Sequence, residues 1–348
     1  MLRQWVANSF ILTPSPGQCE ILVALGLKVR RVFHKEEDMP LPVRFLIAAV
    51  ALCTSSAAAV WAQSYTFTNI TVSGSTDIYA YKINNAGQVA GFYLGTTASE
   101  GFLYSGGMMR NIVFPGAGST AAMGINNLGQ IAGYYNGGNC KNADAVCGFI
   151  KTSGGFRQVA FPGANTTYME AINDSGQALG TYYDGTGNRS FLWRNGSMVR
   201  LDFPGATNTQ AIGINNVGEV VGNWSTFSTG GAFLYYHGQW TGLTGPNGVW
   251  ALVGGINDSG DYVGGYYTPD GNYHGFVNTA GVYTTLDYPG ATLTFAMGIN
   301  NTGEIVGYWV GNGCVEWCAF LAKPTASASR LNPPKTGSTD NAEGASRR

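Results

Sequence analysis

One short segment, Ile-Asn-(Asn/Asp)-x-Gly, begins at Ile83, Ile125, Ile172, Ile214, Ile256 and Ile299, so its six copies lie 42, 47, 42, 42 and 43 residues apart. A sequence period of that size is the mark of a repeat architecture built from one supersecondary unit per copy. Around the fourth copy, residues 210–215, 219–224, 232–236 and 240–243 form short runs of β-branched or aromatic residues punctuated by glycine. That pattern predicts four strands per unit. The first two strands of each unit are joined by Asn-(Asn/Asp)-x-Gly, where the Asn can form an Asx turn and the Gly can take φ > 0, as a tight hairpin requires. These copies read as turn punctuation rather than as a ligand motif.

Two further anchors recur with the first. A small residue followed by Phe stands at Phe102, Phe149, Phe191, Phe233, Phe276 and Phe320, with His274-Gly275 before one of them, and an aromatic-Pro-Gly-Ala step begins at Phe114, Phe161, Phe203 and Tyr288. The latter is degenerate in one unit, where 243–245 replaces it. The last unit stops after Phe320 without a fourth strand, while an orphan strand-like run, 67–74, precedes the first Ile-Asn. Complementary fragments at the two ends predict a closed ring, which leaves no exposed sheet edges. An open solenoid would instead need atypical capping repeats at both ends. The strand entering Ile-Asn carries small residues, as at Ala122 and Gly124, Ala211 and Gly213, and Ala296 and Gly298, which suits crowding at an axis. The chain therefore reads as an all-β, six-bladed β-propeller with four-stranded blades, closed by its N-terminal strand.

The flanks differ in composition. Residues 1–62 read as a leader, with the true start expected at Met39: the apolar stretch 45–52 and the small residues ending in Val60, Trp61 and Ala62 predict a signal peptide over 39–62, cleaved before Gln63. Leu52 is too bulky to precede a lipidated Cys53, and the apolar stretch is too short for a stable membrane span. The repeat domain is assigned to 63–323, and 324–348, rich in Ser, Pro and Asn, to a disordered tail. Within 63–323 there are 9 Lys+Arg and 14 Asp+Glu, a formal charge of 9 − 14 = −5, with no basic cluster to follow a phosphate backbone. Nucleic acid is not an expected partner. The expected location is secreted or periplasmic, and four cysteines of the domain fit an oxidising compartment. Cys140 and Cys147 bracket one long connection between the second and third strands, and Cys314 and Cys318 bracket its equivalent four units later. Two disulfides are expected; zinc is the competing reading, but no His accompanies either pair and the pairs lie on different units.

The Gly275-Phe276 step after His274, the Ala232-Phe233 step after Gly231, and the Ile-Asn-x-x-Gly-x-Val-Val-Gly pattern together resemble the bacterial extracellular repeat proteins named for a His-Ala-Phe step, the HAF repeats. The resemblance covers about residues 65–322; Cys147-Gly148-Phe149 and Arg189-Ser190-Phe191 depart from it. It implies secretion and a propeller-like fold, and no particular activity.

Strand direction alternates within a unit, so the connections between units and between second and third strands emerge on one face, opposite the Asn-x-Gly hairpins. The first face holds the variable loops and is the candidate binding surface. An aromatic is expected two positions after the Gly that ends each Val-Val-Gly-like step, with Tyr93, Tyr135, Tyr183, Trp224, Tyr267 and Trp309 assigned to it. Their flat apolar faces with a polar handle suit stacking on sugar rings, or alternatively wedging between blades. Departures from the repeat supply catalytic candidates. Glu170 stands where Met123, Ile212 and Met297 stand elsewhere, Lys82 replaces a small residue, and Asp184, Asp270, His274 and Glu316 lie in or near the variable loops. A carboxylate near the axis could act as general acid or base. Calcium at Asp174 and Asp258 is less simple than turn chemistry, and neither a metal nor a cofactor is expected. The expected function is binding of glycan or cell-envelope material through the variable-loop face. The alternatives are a polysaccharide hydrolase or lyase with carboxylates at the ring opening, and a protein-interaction platform.

Overall fold

The computed structural model describes residues 64–75, 77–140, 145–269 and 271–325. The leader expected over 1–62, its start at Met39, and the tail beyond 325 lie outside the described residues, as do Cys53 and Asp270.

Strand β1 (Tyr65–Ile70) stands before the repeats. Unit one follows with β2 (Ile78–Ile83), β3 (Val89–Leu94), β4 (Ser99–Ser105) and β5 (Met108–Ile112). Unit two comprises β6 (Ala117–Ile125), β7 (Ile131–Gly137), β8 (Val146–Thr152) and β9 (Gly155–Val159), and unit three β10 (Thr167–Ile172), β11 (Gln177–Tyr183), β12 (Asn188–Arg194) and β13 (Ser197–Arg200). Unit four is β14 (Asn208–Ile214), β15 (Val220–Ser225), β16 (Gly230–Tyr236) and β17 (Gln239–Leu243), and unit five β18 (Ala251–Ile256), β19 (Tyr262–Tyr267), β20 (Tyr273–Thr279) and β21 (Val282–Leu286). Unit six has β22 (Ala291–Ile299), β23 (Ile305–Gly311) and β24 (Cys314–Pro324). Units one to four are separate antiparallel four-stranded sheets, while units five and six join through a single parallel bridge, Tyr273↔Leu293. Equivalent parallel bridges, Val146↔Thr166 and Asp77↔Trp317, touch between other neighbouring units, so the bridge is a contact between blades rather than a larger blade.

β1 supplies the missing fourth strand of unit six, pairing antiparallel with β24 from Tyr65↔Pro324 to Ile70↔Ala319. Phe67 packs edge-on against Tyr288 and Phe320, and Asn69 Oδ1 accepts a hydrogen bond from Trp309 Nε1 at 3.1 Å. The strand lies slightly earlier than 67–74: Val72 has left it, because its carbonyl accepts from Ser75 N in the turn toward unit one.

Ring closure is recorded in hydrogen bonds at the axis. The first Asn of each repeat donates its Nδ2 to the backbone carbonyl of the same Asn in the next unit, from Asn84 to Asn126, Asn173, Asn215, Asn257, Asn300 and back to Asn84, at 2.9–3.2 Å. The second position forms a parallel ring in which each backbone N–H meets the side-chain Oδ1 of the next unit, from Asn85 through Asn127, Asp174, Asn216, Asp258 and Asn301 back to Asn85. Asn and Asp both offer that oxygen, which is why either serves there. The motif is more than turn punctuation.

Sequence dictates the rest of the scaffold by close approach. A Cβ on Gly124 would come within 2.8 Å of Ala171 Cα in the next unit, so the innermost strands meet backbone to backbone as their small residues predict. In unit two a Cβ on Gly133 would meet the ring of Phe149 at 2.7 Å. The Phe anchors are 0% exposed in all six units. Aromatic-Pro-Gly-Ala closes an i→i+3 turn, as in Ala117 N to Phe114 O, with Gly116 at φ 75; Pro then Gly is the type II signature. The backbone N–H of its aromatic residue is capped by a Thr hydroxyl, as Phe114 N is by Thr120.

Candidate functional site

The variable-loop face divides the six aromatic candidates. Strand register places Gly91, Gly133, Gly180, Gly222, Gly264 and Gly307 opposite the six anchor Phe residues. The aromatics two positions on are therefore Tyr93, Tyr135, Tyr182, Trp224, Tyr266 and Trp309. Tyr183 and Tyr267 stand one residue further, and a one-residue slip sends a side chain to the opposite face of a sheet. Four members of the true set are stacked on the incoming turn: Tyr135 on Phe114 with centroids 3.7 Å apart, Tyr182 on Phe161 at 3.6 Å, Trp224 on Phe203 at 4.6 Å and Trp309 on Tyr288 at 3.8 Å. Tyr135 and Trp309 are fully enclosed. Tyr93 is also buried, its hydroxyl donating to Glu100 Oε2 and accepting from Asn111 Nδ2. Wedging, not ligand stacking, is the geometry of Tyr93, Tyr135 and Trp309. Tyr183 and Tyr267 are exposed at 50% and 55%, and Trp224 is half-buried.

Beside Trp224 opens a cleft of about 790 Å³ lined by Asn188, Asn208, Gln210, Asn223 and Trp250 among others, with no charged side chain in its wall. Trp250 is 51% exposed. It stands in the one connection that lacks aromatic-Pro-Gly-Ala, where a 3-10 turn, Pro246–Gly248, takes its place. Asn223 is committed to the scaffold, exchanging two hydrogen bonds with the backbone of Val253 in the next unit. Gln210 reaches inward from the cleft, and its Nε2 lies 3.4 Å from Glu170 Oε1.

Glu170 owes its position to an irregularity that every unit shares. The pairing of each inner strand with its neighbour skips one residue, which is Tyr81, Met123, Glu170, Ile212, Gly254 or Met297. Such bulges re-aim a side chain. Glu170 and Lys82 are both buried. Burial pushes the Glu170 carboxyl above its ordinary value, against the opposing pull of Gln210 and Lys82. Burial likewise pulls the Lys82 ammonium down to about 8, resisted by Glu170. Lys82 Nζ donates to the carbonyls of Gly254 at 2.8 Å and Met297 at 3.0 Å, which ties unit one to units five and six. Gly254 has no side chain to bar that carbonyl.

The remaining catalytic candidates do not converge on Glu170. Asp184 belongs to its own loop, where hydrogen bonds from Thr186 and Arg189 hold its carboxyl well below the usual range. His274 is in unit five, with Nδ1 2.8 Å from Asp287 Oδ2 and its ring tilted on Tyr266. Glu316 is exposed inside the loop closed by Cys314–Cys318. A glycosidase needs a second carboxyl roughly 5–10 Å from the first; the Asp184 carboxyl is bound up with Thr186, Gly187 and Arg189 in its own loop, and His274 carries none. Both cysteine pairs are disulfides, with Cα atoms 5.8 Å apart in Cys140–Cys147 and 5.9 Å in Cys314–Cys318.

On the opposite face, a vestibule of about 70 Å³ is lined by the Ile-Asn-(Asn/Asp) segments and Lys82. Asp174 Oδ2 accepts from the amides of Asn127 and Asn216, and Asp258 Oδ2 from those of Asn216 and Asn301. Burial pushes the Asp258 carboxyl up, but the bonds from Asn301 and Asn216 outweigh it and leave it below its ordinary value. These oxygens serve the ring. Among the described residues no group of three His, Cys, Asp or Glu is placed to hold a metal ion.

No family model and no curated protein matches the chain. Solved structures similar to it include a streptogramin B lyase, 11% identical over 75% of this chain and 98% of that one, with a TM-score of 0.44. TolB from Acinetobacter baumannii is 11% identical over 72% and 64%, with a TM-score of 0.47. A six-bladed fungal lectin from Aleuria aurantia is 10% identical over 75% and 99%, with a TM-score of 0.44. Likenesses at this level carry no argument about ligand or activity.

Proposed function

We propose that this chain is a secreted or periplasmic binding propeller that holds a glycan or cell-envelope polysaccharide on its variable-loop face. The observation that supports this most is the wall of the cleft between units four and five. That wall carries side-chain amides and hydroxyls and no charge, and Trp224 and Trp250 supply ring surface. Sugars present alternating hydroxyls and apolar ring faces, and this lining suits both. The two disulfides favour an oxidising compartment. With one buried carboxylate at the axis and no converging partner in Asp184 or His274, binding is a simpler reading than hydrolysis.

A glycan array read with wild type and Trp250→Ala tests the proposal. Trp250 is 51% exposed, so its loss should weaken the retained glycans by about twofold to tenfold, as expected for one stacked aromatic, while leaving thermal unfolding unchanged. Retention of no glycan, or equal retention by the variant, would defeat it.

A further inference from the structure

The loop between the second and third strands of each unit lies on the variable-loop face, and in unit four alone it carries a large apolar ring. There it is 226–229, Thr-Phe-Ser-Thr, joining β15 to β16. Its equivalents read Gly-Thr-Thr-Ala at 95–98, Asp-Gly-Thr-Gly at 184–187, Thr-Pro-Asp-Gly-Asn at 268–272 and Asn-Gly at 312–313, and 138–145 in unit two holds no aromatic residue either. A packing demand would recur around the ring, and this Phe does not. Phe227 is 99% exposed, the most exposed of the large hydrophobic residues described. A single exposed hydrophobic residue is ordinary on a protein surface, but the loop beneath this one is built into the cleft: Thr226, Ser228 and Thr229 all stand in its wall. Phe227 is thus one peptide, about 3.8 Å between Cα atoms, from a wall residue on either side, and is not itself part of the wall. The loop holds its shape without the ring. Thr226 N donates to Thr229 O at 2.7 Å, and Thr226 Oγ1 accepts from Ser228 N at 3.2 Å and Thr229 N at 3.1 Å. A turn closed by a Thr hydroxyl fixes the local backbone, so the ring is carried on a set support while it stays in solvent.

We infer that Phe227 is a stacking platform just outside the cleft, so that the ligand is a polysaccharide chain bound along its length and running over the β15–β16 loop, rather than a single terminal sugar. This deepens the binding function proposed above and rests on it. Phe offers a flat apolar face and no hydrogen bond, which fits the apolar face of a sugar ring whose hydroxyls remain in water. Because the loop backbone is already ordered, binding has only the Phe227 side chain to immobilise. A ligand confined to the cleft has Trp224 and Trp250 in the wall and no use for a ring beyond it. Phe227 therefore acts on sugar residues that project past the wall, and chain length is the property it reads. The wall carries no charge, so neutral chains are the matching probes.

Calorimetric titration with dimers and hexamers of β-1,4-linked glucose, mannose, xylose and N-acetylglucosamine tests this on wild type, Phe227→Ala, Phe227→Tyr and Trp250→Ala. For the sugar that binds, wild type should hold the hexamer more tightly than the dimer. Phe227→Ala should lower hexamer affinity by about twofold to tenfold, the worth of one stacked aromatic, and leave the dimer as in wild type. Phe227→Tyr, which keeps the flat ring, should restore the hexamer, whereas Trp250→Ala should weaken both lengths. With its side chain 99% exposed, Phe227 can be replaced without a shift in thermal unfolding, so a loss of affinity is not a loss of fold. A longer chain also gains from having more registers on one site, and that gain would survive in Phe227→Ala. Survival of the full gain there, equal weakening of dimer and hexamer, or failure of Phe227→Tyr to restore the hexamer would overturn the platform, while binding that Trp250→Ala weakens would leave the glycan function standing. Binding of none of the sugars would defeat both.

Discussion

Replacing Asn126 by Asp isolates the bond that links one blade to the next. Asn126 Oδ1 accepts from Leu128 N at 3.1 Å and Gln130 N at 2.9 Å, and Asp keeps both. Asn126 Nδ2 donates to Gln130 Oε1 at 2.7 Å, and the Gln amide can turn over to donate instead. The bond from Nδ2 to Asn173 O, 2.9 Å, has no such remedy, because two acceptors then face each other in a buried site. Leaving a buried polar group unpaired and placing a charge beside it costs about 2–4 kcal/mol. For a domain of this size that lowers the melting temperature by roughly 5–15 °C. Differential scanning calorimetry of Asn126→Asp reads this directly. Leu128→Ala, on the same hairpin but 68% exposed, serves as control and should stay within about 0.5 kcal/mol. If Asn126→Asp melts within about 2 °C of wild type, roughly the least shift one lost bond could cause, the axial ring is not what holds neighbouring blades together.

Deleting residues 64–70 removes β1 and exposes the β24 edge, so cooperative unfolding of the whole domain should shift to much lower temperature; unchanged calorimetry would reject closure by that strand. Lys82→Met, which leaves the buried carbonyls of Gly254 and Met297 without the donor that spans them, should cost about 1–3 kcal/mol of stability in denaturant unfolding. Between pH 8 and 9.5 the unfolded chain keeps the Lys82 proton that the folded chain sheds, since its folded pKa is about 8 against an ordinary 10.5. That contribution to stability therefore rises with pH in wild type, and denaturant titrations of Lys82→Met should show the slope reduced. Reducing the disulfides should cost about 2–2.5 kcal/mol each on the chain-entropy account of such short loops. Peptide mapping should find Cys140 joined to Cys147 and Cys314 to Cys318.

The repeat architecture was legible because each anchor answers a local demand: Gly133 makes room for Phe149, Gly116 supplies a positive φ, and Gly124 lets two backbones meet. Closure was legible because the chain ends carry complementary fragments. The axial role of Asn84 and its equivalents was not, since the same side chain also caps its own hairpin and that task alone explains its recurrence. Tyr183 and Tyr267 were taken in place of Tyr182 and Tyr266 because both steps end in two consecutive tyrosines, and only pairing of Gly180 and Gly264 with the Phe anchors fixes which of the two matches Tyr93. Three of the candidate aromatics proved to be packing, because a residue demanded by every unit is demanded by the interface that every unit shares. Trp250 was missed, although its signal was present in the degenerate connection at 243–245. Glu170 stood out as a departure from the repeat. Its place on a bulge, which aims it toward the axis, needed the strand register.

Hydroxyl-radical footprinting with and without a saturating oligosaccharide tests most directly where this propeller binds. The account predicts protection of Trp250, beside the uncharged cleft, with Leu128 and Val217 on the hairpin face, exposed at 68% and 55%, unchanged. Protection of Leu128 and Val217, with Trp250 as reactive as in the free protein, would contradict it.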